Sequence, residues 1–310
     1  MLSEVAAELV EPPANSTVIA TGKGGVGKST VAANHAARRA ALGLRTLFIC
    51  VTSQDDDDLG ISRFGHGIRP DGPSVLDGQG LYRALHDRTP LLPVREVRPN
   101  LDVVPGGEVV GELVQLMTMR MMSEGISVVT SLARALQPIA VWYDEIVFDS
   151  APENDGLEQL ALAAARTLVV PTRSDDSSIK GMQRIARNYK SVRTQINPHL
   201  RVAGAFLYGS NPSATSLHQE VREDVLEVLG ESTPVLSTVV GYREKPARNA
   251  RKKGLTFSEY AELLPTSARS YDVAAGRAKE ADVVPDSIRP LANEMNSLSD
   301  EISEFCRKAA

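Results

Sequence analysis

Residues Gly22–Ser29 read GKGGVGKS and fill every fixed position of the pattern G-x-x-x-x-G-K-[ST]. The residue types in this stretch describe one chemistry. Glycines lack a Cβ, so successive backbone N–H groups can curl inward around phosphate oxygens. A helix that starts at the end of the loop adds the partial positive charge of its N-terminus. Lys28 is then placed to reach β- and γ-phosphates, and the Ser29 hydroxyl to bind Mg²⁺. The expected nucleotide-binding set is Gly22, Lys23, Gly24, Gly25, Val26, Gly27, Lys28, Ser29 and the adjoining Thr30. A second lysine, Lys23, sits inside the loop where the generic pattern does not require one.

A carboxylate is the natural second ligand for the metal. YDEIVFDSAP, Tyr143–Pro152, is an apolar strand pattern ending in Asp149, which would hold Mg²⁺, through water. A third stretch poses a problem. LFICVTSQDDDDLG, Leu47–Gly60, begins as a buried strand and ends in Asp55–Asp58, four adjacent like charges. Such a run needs solvent, a cation or a partner.

The elements around these residues alternate. TVIAT (17–21) reads as a strand before the phosphate loop, and TVAANHAARRAALG as the helix after it, closed at Gly43. RTLFICV (45–51) has no polar alternation and reads as a strand buried on both faces. Further strands are expected at 101–104, at 145–148, at 167–170 with Pro171 as a stop, at 202–207 and at 234–240. Helices are expected at 74–86, at 109–137 with a break at Gly125, at 175–195 and at 213–229. Alternating β and α elements predict an α/β fold: a doubly wound, mostly parallel sheet with helices on both faces. Near the end, Ile288, Leu291, Met295, Leu298, Ile302 and Phe305 form one apolar helical seam, expected to pack back on the domain. The division expected is an arm over 1–15, a nucleotide-binding domain over 16–264 and a C-terminal extension over 265–310.

Composition narrows the function. The chain has 310 residues and a formal net charge of −5, so nucleic-acid binding would require a local basic patch. YREKPARNARKKG (242–254) supplies one: Arg243, Lys245, Arg248, Arg251, Lys252 and Lys253 against one glutamate. It carries no aromatic ladder, so duplex phosphate binding is expected rather than base stacking. Two distant cysteines, Cys50 and Cys306, offer no disulfide framework and fit a reducing cytoplasm. No apolar run reaches the ~18 residues of a membrane span, and no signal peptide is read.

The form KGGVGKS-T, with its extra lysine, resembles the deviant phosphate loop of the ParA/MinD-type ATPases, and the resemblance runs over about 16–264. PNLDVVPGG (99–107) and VVPTRSDDSSIKG (169–181) are similar to further segments of that family. The resemblance implies a P-loop fold, ATP and Mg²⁺ as ligands, and ATP-driven homodimers. In such dimers Lys23 would cross to the partner's nucleotide, making Lys23, Lys28 and Asp149 the catalytic set. It also implies base contacts at the end of the 202–207 strand, at Tyr208 and Gly209. Arg243 matches the arginine of a segment close to DNA in relatives. The closest likeness is to ParA forms without an N-terminal operator-binding domain. This implies a cytoplasmic, nucleoid-associated partition ATPase working with a ParB-like centromere-binding adaptor and without the membrane. The alternatives are a MinD-like positioning ATPase, disfavoured by the acidic C-terminus, and a non-hydrolysing nucleotide-gated scaffold.

The last alternative follows from a departure. The family writes D-x-D-P-Q after its second strand. Here Gln54 falls at the glutamine, and both acids are replaced, by Cys50 and Thr52. Asp55 is three residues from Thr52, ~10 Å along an extended chain, beyond the reach of the missing carboxylate unless the loop doubles back. Hydrolysis is therefore expected to be weak.

Overall fold

The computed structural model describes residues 10–53, 77–150, 154–211, 213–277, 279 and 283–309. Gln54, Asp55–Asp58 and Pro152 lie outside the described residues, as do residues 1–9 of the expected arm.

Seven strands form one sheet in the order β3-β4-β2-β5-β1-β6-β7. In chain order they are β1 (Ser16–Ile19), β2 (Thr46–Val51), β3 (Val94–Arg98), β4 (Leu101–Val104), β5 (Glu145–Ser150), β6 (Thr167–Thr172) and β7 (Arg201–Leu207). All neighbours run parallel except β3, which pairs antiparallel with β4. The central strands are buried on both faces, which explains their unbroken apolar runs.

One face carries α2 (Gln79–Asp87), α3 (Glu112–Glu124), α4 (Ser131–Ala140), α5 (Asp155–Ala164), α6 (Asp176–Gln195) and α7 (Thr215–Leu229). The other carries α1 (Lys28–Ala41), α8 (Glu244–Lys252), α9 (Phe257–Glu262) and, after the short α10 (Ser270–Ala274), α11 (Ile288–Ala309). The seam of α11 is buried from Ile288 to Ile302 and packs against α1, α9 and β7. Each such aliphatic side chain contributes roughly 1.5–3 kcal/mol on burial, so this helix belongs to the main core.

Two expectations are corrected, and one strand is new. The strand at 94–98 was not anticipated. It is an edge strand with a register shift; Glu96 inside it and Asn100 in the turn into β4 take positive φ (52° and 62°). Pro171 does not stop β6, which runs to Thr172. Val169 faces β1, accepting from Ala20 N at 3.2 Å. By the two-residue alternation Pro171 faces the same side, where β1 has ended, so its missing N–H costs no ladder bond. Finally, 234–240 is not a strand: only the bridges Ala205↔Val235 and Tyr208↔Val240 form. Between them Ser237 N and Thr238 N donate instead to the Glu301 carboxylate of α11, at 2.6 and 2.9 Å. Burial pushes the Glu301 carboxyl up, but these N–H donors hold it below its ordinary value.

Candidate nucleotide site

The phosphate loop joins β1 to α1 at the carboxyl edge of the sheet. Its two ends are clamped by close packing. Gly27 has φ 82°, and a Cβ there would collide with the Tyr208 ring at the end of β7. A Cβ on Gly22 would lie 2.6 Å from Arg184 Cβ and 2.7 Å from Gly181 O, both on α6. Gly22 N donates to Gly181 O at 3.3 Å. Contact requires glycine at both positions, and at Gly27 the backbone angle requires it as well.

Lys28 is buried, and its Nζ donates to Lys23 O at 2.8 Å, curled against its own loop. Lys23 points to α6: its Nζ lies 2.5 Å from Asp175 Oδ1 and 3.4 Å from Ser178 Oγ. Lys23, then Ser177, hold the Asp175 carboxyl well below the usual carboxylate range. Arg173, at the start of the same segment, donates to Gly25 O at 3.2 Å and stacks over the Tyr242 ring at 5.7 Å. At Gly209, with φ 70°, an added Cβ would lie 3.4 Å from the Arg173 guanidinium. Arg173 and Asp175 are site neighbours that sequence reasoning missed. Their signal was position: both fall within VVPTRSDDSSIKG.

Asp149 is the penultimate residue of β5, almost fully buried, in register with Ile19 of β1 and Cys50 of β2. The carboxylate therefore stands between the strand that launches the phosphate loop and the strand that lacks its acids. Thr52 is buried just past β2, where its carbonyl accepts from Gly107 N at 3.0 Å. Gly106 is packed against the Cys50 and Thr52 carbonyls, closer than a Cβ allows. A further acid, Glu158 on α5, is wholly buried. Its Oε1 accepts from Asn188 Nδ2 at 2.6 Å while its Oε2 has no hydrogen-bond partner, and burial pushes its carboxyl up to about 7. Embedded in GLEQLALAA, it had a readable signal: one acid inside an apolar run.

Beside the loop lies a cavity of about 290 Å³, bordered by Thr30, Asn34, Tyr208, Tyr242, Arg248 and Arg251. Asn34 fixes its floor, donating to Thr30 O and accepting from Phe257 N, each at 2.8 Å. Loop glycines, an N-terminal helix turn, a lysine, a serine hydroxyl and a buried carboxylate fit a polyphosphate with a hard divalent cation. The cavity offers two aromatic rings for a base.

The basic stretch is divided rather than shared. Most of it forms α8. Arg243 is paired with Glu294 through two contacts of 2.6 and 2.8 Å, and Glu294 also accepts from Gly241 N. Arg251 Nη2 donates to Thr30 Oγ1 at 3.1 Å. Lys245, Arg248, Arg251 and Lys252 are exposed, and Lys253 is half-buried. The structure thus does not bring the six cations onto one face.

The family model described as "AAA domain" matches residues 15–202. The chain is 32% identical over 209 residues to the chromosome partitioning protein ParA of Myxococcus xanthus, covering 66% of this chain and 68% of that one. It is 31% identical over 251 residues to the chromosome-partitioning ATPase Soj of Thermus thermophilus, covering 80% and 88%. Among solved structures, the ATP complex of McdA from Cyanothece superposes with a TM-score of 0.64 at 15% identity, covering 94% and 96%. Loop, sheet order and these likenesses agree: the chain belongs to the ParA/MinD-type family of P-loop ATPases.

Proposed function

We propose that this protein binds ATP with Mg²⁺, pairs two copies through it, and acts as a slow DNA-binding partition ATPase. The observation that carries the reading is the clamped phosphate loop, with Lys28 at its end and Asp149 in register beside it. Lys28 would exchange Lys23 O for the terminal phosphates. Ser29 and Asp149 would hold Mg²⁺. The cavity between Tyr208 and Tyr242 would take the base. Lys23 would leave Asp175 and reach the partner copy's nucleotide, offsetting the charge that develops on the transferred phosphoryl group. Similarity to ParA and Soj supports partition as the cellular role, with a ParB-like adaptor as regulator and the nucleoid as location. DNA contacts are assigned to the part of the basic stretch not tied to Glu294 or Thr30: the exposed Lys245, Arg248 and Lys252, and the half-buried Lys253. Among the described residues no helix is long and apolar enough to cross a membrane.

A second reading, a nucleotide-gated scaffold with no hydrolytic cycle, is favoured by one observation. The residue opposite Asp149 is the thiol Cys50, and Thr52 follows it, so two carboxylates expected at this strand end are absent. Sedimentation with ADP, ATP and a non-hydrolysable analogue, each with and without duplex DNA and with phosphate release followed, separates the readings. ATP-dependent dimers that bind DNA and release phosphate slowly support the first. The same dimers with no phosphate release support the second. A mass insensitive to nucleotide would remove both.

A further inference from the structure

Charge alone grouped Arg251 with the DNA-facing residues, and it stays solvent-exposed, but the fold ties its tip to α1. Its guanidinium donates to the Thr30 hydroxyl, on the first turn of α1 and two residues past Lys28. Arg248 lies one turn earlier on α8, and both side chains border the cavity whose aromatic walls are Tyr208 and Tyr242. Helix N-termini collect phosphate. If a base fills the aromatic cavity while the terminal phosphates reach Lys28, the phosphate nearest the nucleoside crosses the first turn of α1, at Thr30. Arg251 already stands there.

We propose that Arg251 binds this nucleoside-proximal phosphate, which makes the basic helix a wall of the nucleotide site. The inference rests on the nucleotide reading above. A guanidinium offers a planar fork to two phosphate oxygens, and lysine offers only a point charge, so Arg251→Lys should rescue incompletely. The geometry also links two surfaces. Lys252 and Lys253 follow Arg251 directly, so a side chain drawn toward the nucleotide holds the backbone that presents them.

The test is direct titration of the full chain with ATP, ADP and adenosine, for wild type, Arg251→Ala, Arg251→Lys and, as a distant charge control, Arg83→Ala on α2. Arg251→Ala should weaken ATP and ADP by a similar factor, about tenfold or more. It should leave adenosine and the Arg83→Ala control unchanged, with Arg251→Lys in between. Circular dichroism confirms the fold, and Arg251→Lys carries the test if the alanine variant does not fold. Wild type that binds no nucleotide would sink the nucleotide reading itself. Wild type that binds ADP while both Arg251 variants match it overturns the role of Arg251 alone. A loss for adenosine as large as that for ADP also overturns it, since the side chain would then only shape the cavity.

Discussion

Lys23 and Asp175 form an ion pair of 2.5 Å within one chain, although they are 152 positions apart. The lysine that family resemblance assigns to the partner's nucleotide is held at home by the segment after β6. Both groups are partly exposed, 26% and 46%, so the pair is screened by solvent and can exchange. In the proposed dimer it would compete with dimerisation without forbidding it.

Asp175→Asn should therefore release Lys23 and strengthen nucleotide-dependent dimerisation severalfold. Sedimentation equilibrium with a non-hydrolysable ATP analogue measures this. A weaker dimer would show that Asp175 serves the interface and does not compete with it.

Restoring a carboxylate at the end of β2 should speed hydrolysis. Thr52→Asp returns an acid where the family's water-positioning residue belongs, and a positioned base contributes roughly 10²–10⁴-fold. Phosphate release should rise at least tenfold with nucleotide affinity little changed. Unchanged turnover would mean the attacking water is placed from elsewhere in the site.

Glu158 sets a pH dependence of stability. Its carboxyl is raised from 4.5 to about 7 by burial, opposed by the Asn188 hydrogen bond. A carboxyl raised on folding binds its proton more tightly in the native state. Stability is then highest below the unfolded value, declines as pH rises from 4.5 to about 7, and is level above that. Glu158→Gln should flatten this decline and stabilise the protein at pH 8 by at most about 3 kcal/mol. Urea unfolding of both proteins at pH 5 and pH 8 checks it. Parallel curves would mean that the carboxylate is accommodated.

The divided basic stretch refines the DNA assignment. Reversing Lys252 and Lys253 to glutamate should abolish duplex shifts at low salt and leave ADP affinity unchanged. Reversing Arg251, by contrast, should impair nucleotide binding as well. If the double lysine reversal retains full DNA affinity, the contact surface lies elsewhere.

The phosphate loop, the βα alternation and the α11 seam were legible in the sequence. Each depends on neighbours along the chain: glycine spacing, strand composition, a three-four apolar period. The same local rules misread 234–240. Its apolar pattern is strand-like, but in its middle the Ser237 and Thr238 N–H groups are claimed by Glu301, more than sixty positions away, so its bonding to β7 stays at two isolated bridges. Pro171 was misread because whether its missing donor matters depends on where β1 ends.

By itself the sequence determined the chemistry on offer: a loop for phosphate, Asp149 at a strand end, and no acids at Cys50 and Thr52. Only the tertiary structure decided how the long charged side chains are spent. Lys23 goes to Asp175, Arg243 to Glu294, and Arg251 to Thr30, 221 positions away. Backbone pattern is set by near neighbours, whereas a flexible cation pairs with whichever distant group the packed helices bring within about 3 Å.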